Sequence, residues 1–263
     1  MKFKFAVNGQ RFSCAETYTG VGSSPDAGGQ VYRGSYARFY AHDVRLVDSA
    51  GTDVPVALTN DGEWQLADTG VVMIDGENGG TCAGASGNLR IVGTVPQGTY
   101  SGLKFKLGLP FNVNHLFADS QPSPLSQSAM FWSWTGGYRF LRIEGLDGSK
   151  KALAGGLLHL GSTGCTPNTN TPTSCAFENL VDVGFPTFDV ATNAVVLDIG
   201  TLFKDTNLDT NLAAAPGCMS GLTDPECPPM FKKLGLPYGD GLLEDGGVKI
   251  VQPTGSQTLF TME

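Results

Sequence analysis

The sequence has little charge and little histidine. Only 16% of its 263 residues are charged, and there are three histidines and three tryptophans. Lys+Arg number 17 against 25 Asp+Glu, a net charge of −8 with a pI near 4.8. That balance argues against nucleic acid or an anionic membrane surface as partner. There is no apolar run long enough to span a bilayer and no signal peptide, so an export leader is expected to have been removed. No C-x-x-C, G-x-S-x-G or H-E-x-x-H occurs, so a zinc ribbon, a thioredoxin-type centre, an α/β-hydrolase and a zincin are not expected. The glycine-rich "GENGGTCAGASGN" lacks the Lys-Ser/Thr ending of a phosphate loop and reads as a hairpin loop. An enzyme is not expected.

What is abundant is turn chemistry: 36 glycines and 15 prolines. That mixture suits many short strands joined by tight turns, and the fold class expected is all-β: a single-domain antiparallel β-sandwich or barrel-like fold with long disulfide-tied loops. "KFKFAV" alternates, and "YARFYAHDVRLVD" reads as a strand with Tyr40, His42, Val44 and Leu46 on one face. "EWQLADTGVVMID" and "NLRIVGTVPQGTYSGLKFKLGLPF" continue the pattern. "GGYRFLRIEG" and "LAGGLLHLGS" form a hairpin around "LDGSKKA". No composition break divides the chain, so residues 1–263 are expected to be one domain. The Gly/Pro-rich residues 214–263 form a tied extension that packs on it and covers a sheet edge, with "PMFKKLGL" as a helical turn.

The six cysteines suggest disulfides. Cys165 and Cys175 flank one turn-rich loop, Cys218 and Cys227 another, and Cys14 with Cys82 would form a longer-range staple. Disulfides imply an oxidising compartment.

Chemistry is concentrated in "PFNVNHLFADSQPSPLSQSAMFWSWTGGYRFLRIEG". His115 precedes a segment in which Trp132 and Trp134 alternate with Phe131, Ser133 and Thr135, so both indoles share one face if the segment is a strand. Aromatic core packing would account for them. An unmodified indole donates only and cannot hold a metal. His42 sits among apolar strand residues, and His159 stands near a strand end beside a disulfide loop. Each imidazole reads either as a satisfied structural histidine or as a ligand, and spacing does not choose. Imidazoles without thiolates suit copper, nickel or zinc. Asp43 and Asp119 adjoin candidate ligands and are candidate orienting carboxylates, although Asp43 should face away from His42. In "DTNLDTN", Asp205, Asn207, Asp209 and Asn211 alternate as calcium ligands do, but the glycine and terminal glutamate of an EF-hand are missing, so an Asx turn competes with a calcium site.

"FKLGLPFNVNH", "PSPLSQSAMFWSWTGGYRFLRIEG", "HLGSTGC" and "APGCMSGLTDPECPPMFKKLGLP" together resemble the methanobactin-associated MbnP family, also described as the four-cysteine protein of a metallo-mystery pair. "FAVNGQRFSCAETYTGVG" and "RFYAHDVRLVD" match its amino-terminal half, so the resemblance covers nearly the whole chain. It implies a periplasmic copper-binding protein. In this family a tryptophan is oxidised to kynurenine by an MbnH-like di-haem cytochrome c peroxidase homologue, and the kynurenine joins histidines around copper. Carried over, the modified residue is Trp132 or Trp134, and the ligands come from His42, His115 and His159. Trp64 is the indole expected to stay intact. The family label says four cysteines where this chain has six, which makes Cys165–Cys175 the local addition. The competing expectation is a metal-free secreted β-sandwich binding or adhesion module.

Overall fold

The first strand, Lys2–Val7, buries Phe3, Phe5 and Val7 and leaves Lys2 and Lys4 exposed, the alternation of a half-buried strand. In the computed structural model, which describes residues 1–23, 28–82, 84, 87–132, 137–169 and 171–263, this strand belongs to a four-stranded sheet. The order is Gln10–Arg11, Lys2–Val7, Ala194–Asp198, Phe260–Met262. Lys2–Val7 and Ala194–Asp198 pair in parallel, a departure from the antiparallel expectation. A parallel pair needs a long crossover, and here most of the large sheet is that crossover. Phe260–Met262 covers the far edge of Ala194–Asp198, so the end of the Gly/Pro-rich tail completes a sheet.

The large sheet is built on one 19-residue strand, Gln30–Asp48. Its first half pairs with Leu141–Leu146, which pairs in turn with Ala152–Leu160, the hairpin read from the sequence. Its second half pairs with Tyr100–Leu107 and, beyond it, Val181–Phe185. Ala41 has Leu107 on one side and Val72 on the other, so Val71–Asp75 runs along the opposite edge. Leu141–Leu146 and Tyr100–Leu107 therefore lie end to end. They meet at Tyr40, whose N–H donates to Phe140 C=O (2.9 Å) and whose C=O accepts from Gly108 N–H (2.8 Å). The two sheets face each other through aromatic edges: Phe3 on Phe39 (5.9 Å), Phe39 on Phe260 (5.4 Å) and Phe105 on Phe260 (5.7 Å).

The long strand does not keep one face throughout. Between the pairs Arg45–Lys104 and His42–Lys106 it places two residues, Asp43 and Val44, against Phe105 alone. Asp43 has φ 51°. This is a β-bulge, and it reverses the inside–outside alternation. Leu46 thus shares the core face with Leu103, while His42 shares the opposite face with Lys106. The single face read from the sequence for Tyr40, His42, Val44 and Leu46 is corrected accordingly: only Tyr40 and His42 share the outer face.

Residues 108–132 and 137–140 fold over that outer face. They comprise the helical turn Phe111–Asn114, two 3-10 turns and a short hairpin, Phe131–Trp132 with Gly137–Tyr138. Tyr138 packs edge-on against Tyr40 at 5.8 Å. The Tyr40 hydroxyl donates to Pro124 C=O (2.9 Å) and that of Tyr138 to Leu125 C=O (2.8 Å), which ties down the cover.

Three disulfides are present, Cys14–Cys82, Cys165–Cys175 and Cys218–Cys227. The last closes onto the helix Cys227–Leu234, which begins with Pro228 and Pro229 and ends at Gly235 with φ 66°. The Cys218 end adds to the large sheet: Cys218 N–H donates to Leu157 C=O (2.9 Å) and His159 N–H to Cys218 C=O (2.9 Å). Among the described residues no helix is long and apolar enough to cross a membrane.

Candidate metal centre

His159 lies on Ala152–Leu160, in register with Arg142 and, one strand further, with Arg38. Tyr36, Arg38, Tyr40 and His42 alternate on the same face of the long strand, so His42 and His159 both belong to the face beneath this cover. His115 and Trp132 come from the cover itself.

Trp132 is 2% exposed. Its ring centroid is 6.2 Å from that of His159, and the Arg139 guanidinium lies 5.6 Å over it. Gly161 forms the floor: a Cβ there would stand 2.5 Å from the indole Cζ3. Asn114, 1% exposed, joins the pieces. Its side chain accepts from Tyr138 N–H (2.8 Å), donates to Ser162 Oγ (3.2 Å) and lies 3.1 Å from His115 Nε2. The added Cβ of Gly137 would lie 3.4 Å from His115 Cε1, so His115 borders the Trp132 hairpin. His115 also packs on Phe111 (4.8 Å between centroids), and its Nε2 is 3.6 Å from Cys175 Sγ.

The ring nitrogens of the two buried histidines are differentiated. His159 Nε2 is 2.6 Å from Glu144 Oε1, and its Nδ1 receives Arg139 Nε–H at 3.3 Å. Burial lowers the His159 pKa, only partly offset by Glu144, so near neutrality the ring is uncharged and donates from Nε2. Burial pushes Glu144 upward, but the hydrogen bonds from His159 and Arg142 outweigh it and hold the carboxyl below its usual range. On its own an ionised Glu144 raises the His159 pKa. Arg142, 2.6 Å from the same carboxylate, and Arg139 both work against a charged imidazole. His42 Nδ1 is 2.8 Å from Gly108 C=O, which makes Nδ1 its donor and leaves the Nε2 lone pair. Burial lowers its pKa too, against the Gly108 hydrogen bond.

The structure therefore brings His159 against Trp132 and His115 against the same hairpin. His42 is the outlying member, four residues along the strand from Arg38. That places it roughly 13 Å along and two strand spacings across from His159. Among the described residues, two groups of three ligand-type side chains have their donor atoms within 4.8 Å of one another: His115 with Cys165 and Cys175, and Asp224 with Cys218 and Cys227. In both the sulfurs are tied in disulfides and offer no thiolate. Trp134 falls outside the described residues. Asp43 is held by Arg45 Nε at 2.7 Å, so the carboxylate orienting a ring is Glu144. Spacing gave no sign of Arg139, Glu144, Asn114 or Gly161. The available signal was three charges in the otherwise apolar "GGYRFLRIEG", two of them, Arg142 and Glu144, on one strand face.

In the Asp205 segment the acceptors have protein partners. Asp205 pairs with Lys233 Nζ (2.9 Å), and Gln30 Nε2 donates to both Asn207 Oδ1 (2.9 Å) and Asp209 Oδ2 (2.6 Å). Asn207 Oδ1 also accepts from Asp209 N–H (3.0 Å), the Asx turn.

As for donor chemistry, neutral imidazoles with one nitrogen held by a carboxylate or carbonyl are what a late first-row metal takes. Residue types and protonation fit copper, although Arg139 must turn aside for His159 Nδ1 to serve as a ligand.

No curated protein sequence matches the chain. Among solved structures it is similar to MbnP from Methylosinus trichosporium, with a TM-score of 0.80 and 30% identity, covering 99% of this chain and 96% of that one. The family model described as MbnP matches residues 1–220, which include His42, His115, Trp132 and His159, and the chain belongs to the MbnP family.

Proposed function

We propose that this chain is an exported, periplasmic copper-binding protein that holds the metal through imidazoles and a kynurenine made from Trp132 or Trp134. Binding rather than catalysis is its role. The observation that carries this reading is the placement of His159 beside Trp132: Nε2 lies 2.6 Å from Glu144 Oε1, which accepts its hydrogen bond, and Nδ1 faces the Arg139 side chain that also lies over the indole. His115, across the same hairpin, is the second imidazole, and His42 is the outlying candidate for a third. An MbnH-like di-haem peroxidase homologue is the proposed oxidant of the tryptophan. Kynurenine supplies an aryl amine and a ketone where the indole had only a donor. The chain's own residues prepare the place. Asn114 locks the cover to the sheet, Glu144 sets the imidazole, and burial keeps the ring neutral. Three disulfides support an oxidising compartment.

The test is peptide mass spectrometry and copper titration on protein produced with and without the haem partner. The expected result is one tryptophan peptide, from 132 or 134, that has lost one carbon and gained one oxygen, with Trp64 unchanged and copper bound stoichiometrically. Unmodified Trp132 and Trp134 after exposure to active partner, with no copper bound, would defeat the reading.

A further inference from the structure

The first strand, the 75–78 turn and the 87–90 segment border a cleft of about 650 Å³. Phe3 N–H donates to Leu89 C=O (2.9 Å) and Phe12 N–H to Phe5 C=O (2.9 Å), so backbone pairing fixes the two walls. Phe12, Leu89 and Val196 supply apolar lining, and Lys2, Arg11 and Arg90 border it as exposed cations. The volume is that of a small-molecule pocket.

Charge accounting decides what the cleft would hold. Its acids already have partners. Glu77, fully buried, accepts from Arg38 Nη2 at 2.8 Å, and Asp75 Oδ2 is 3.0 Å from Arg38 Nε. Glu263 is paired with Lys4. The cations do not. Among the described residues the Arg11 and Arg90 side chains have no ion pair or hydrogen bond, and Lys2 Nζ donates only to the Ala191 carbonyl (3.2 Å). A chain of net charge −8 thus sets three uncompensated cations around one partly apolar cleft. Such a field attracts anions, and the apolar wall selects those carrying a hydrophobic body.

We propose that this cleft is a binding site for a small organic acid with an apolar body, its anionic head held by Arg11 and Arg90. The site uses no residue of the candidate copper centre, so it stands or falls separately.

The probe is 8-anilinonaphthalene-1-sulfonate, followed by fluorescence, with decanoate and decanol as competitors. Saturable binding is expected, displaced by decanoate and not by the uncharged alcohol. Arg11→Glu combined with Arg90→Glu should weaken probe binding by about tenfold or more. Lys249→Glu, which alters an exposed pair with Asp240 elsewhere, should leave it unchanged. Both arginines are exposed, so the double variant should melt at the parent temperature, and a melt confirms that it is folded. Displacement by decanol equal to that by decanoate, affinity unchanged in the double variant, or no binding of the probe would each overturn the proposal.

Discussion

The ring of Trp132 stands 6.2 Å from the ring of His159, tilted by 55°, with Glu144 fixing the imidazole from the far nitrogen. A carboxylate so placed orients a metal-binding histidine and raises its basicity. Glu144→Gln in protein produced with the haem partner should therefore weaken copper binding by about 10–100-fold while leaving the fold intact. His159→Ala and His115→Ala should each remove stoichiometric binding, and His42→Ala should change it least. Competition titration against a copper chelator, with circular dichroism to confirm folding, measures all four. Wild-type affinity in Glu144→Gln would remove the orienting role.

Asp75 gives a pH signature unrelated to copper. It is 1% exposed and shares Arg38 with Glu77, and burial pushes its carboxyl up to about 7 from an ordinary value of 3.8. Between those values the folded chain keeps a proton that the unfolded chain has lost. The contribution to stability is complete below the unfolded value and disappears as pH rises through the folded one. Asp75→Asn, a neutral mimic, should thus gain on the parent as pH rises from about 5 to about 8, by a few kcal/mol. Urea unfolding at several pH values reads the difference, and a difference that stays constant would contradict the assignment.

The disulfides should not be equivalent. Cys14–Cys82 closes a separation of 68 residues and Cys165–Cys175 one of 10. Chain-entropy reasoning gives about 4 kcal/mol for the first and about 3 kcal/mol for the second. The gap should widen because Cys14 is fully buried whereas Cys165 and Cys175 are only half-buried. Paired Cys→Ser variants compared by urea unfolding test the order. Cys165→Ser/Cys175→Ser carries a second readout, since His115 Nε2 rests 3.6 Å from Cys175, and its copper affinity should fall as well.

Strand alternation made the first strand, the 141–160 hairpin and the all-β class legible, because an apolar side chain at every second position has only one way to be buried. The same rule misplaced Leu46 relative to His42. A bulge leaves no periodic mark, and Asp43, which adopts the left-handed conformation, is ordinary in composition. The parallel pairing of Lys2–Val7 with Ala194–Asp198 was equally invisible, being set by contacts about 190 residues apart. At the candidate centre, residue type pointed to the imidazoles and indoles. Their actual supports, Asn114 beneath the hairpin and Glu144 across a strand pair, emerge only from register, since neither belongs to a spaced motif.

Gly161 is the most demanding of those supports. A Cβ at this position would lie 2.5 Å from Trp132 Cζ3 and 2.8 Å from the Tyr138 carbonyl oxygen. The indole cannot retreat freely, because Arg139 also lies over its ring at 5.6 Å and is itself tied to Ala129 C=O (2.9 Å) and Phe131 C=O (3.0 Å). Gly161→Ala should therefore displace the hairpin rather than a single ring, at a cost of about 1–3 kcal/mol from overpacking. In the unmodified protein Trp132 should become more accessible to acrylamide quenching, and on co-production the copper stoichiometry should fall with it. Gly164→Ala, where φ is +65° and the added Cβ comes nearest to Ala176 Cβ at 3.0 Å, is the comparison: it strains the backbone nearby without touching the indole. If the two variants quench alike and bind copper alike, close packing of Trp132 on Gly161 has no part in shaping the centre.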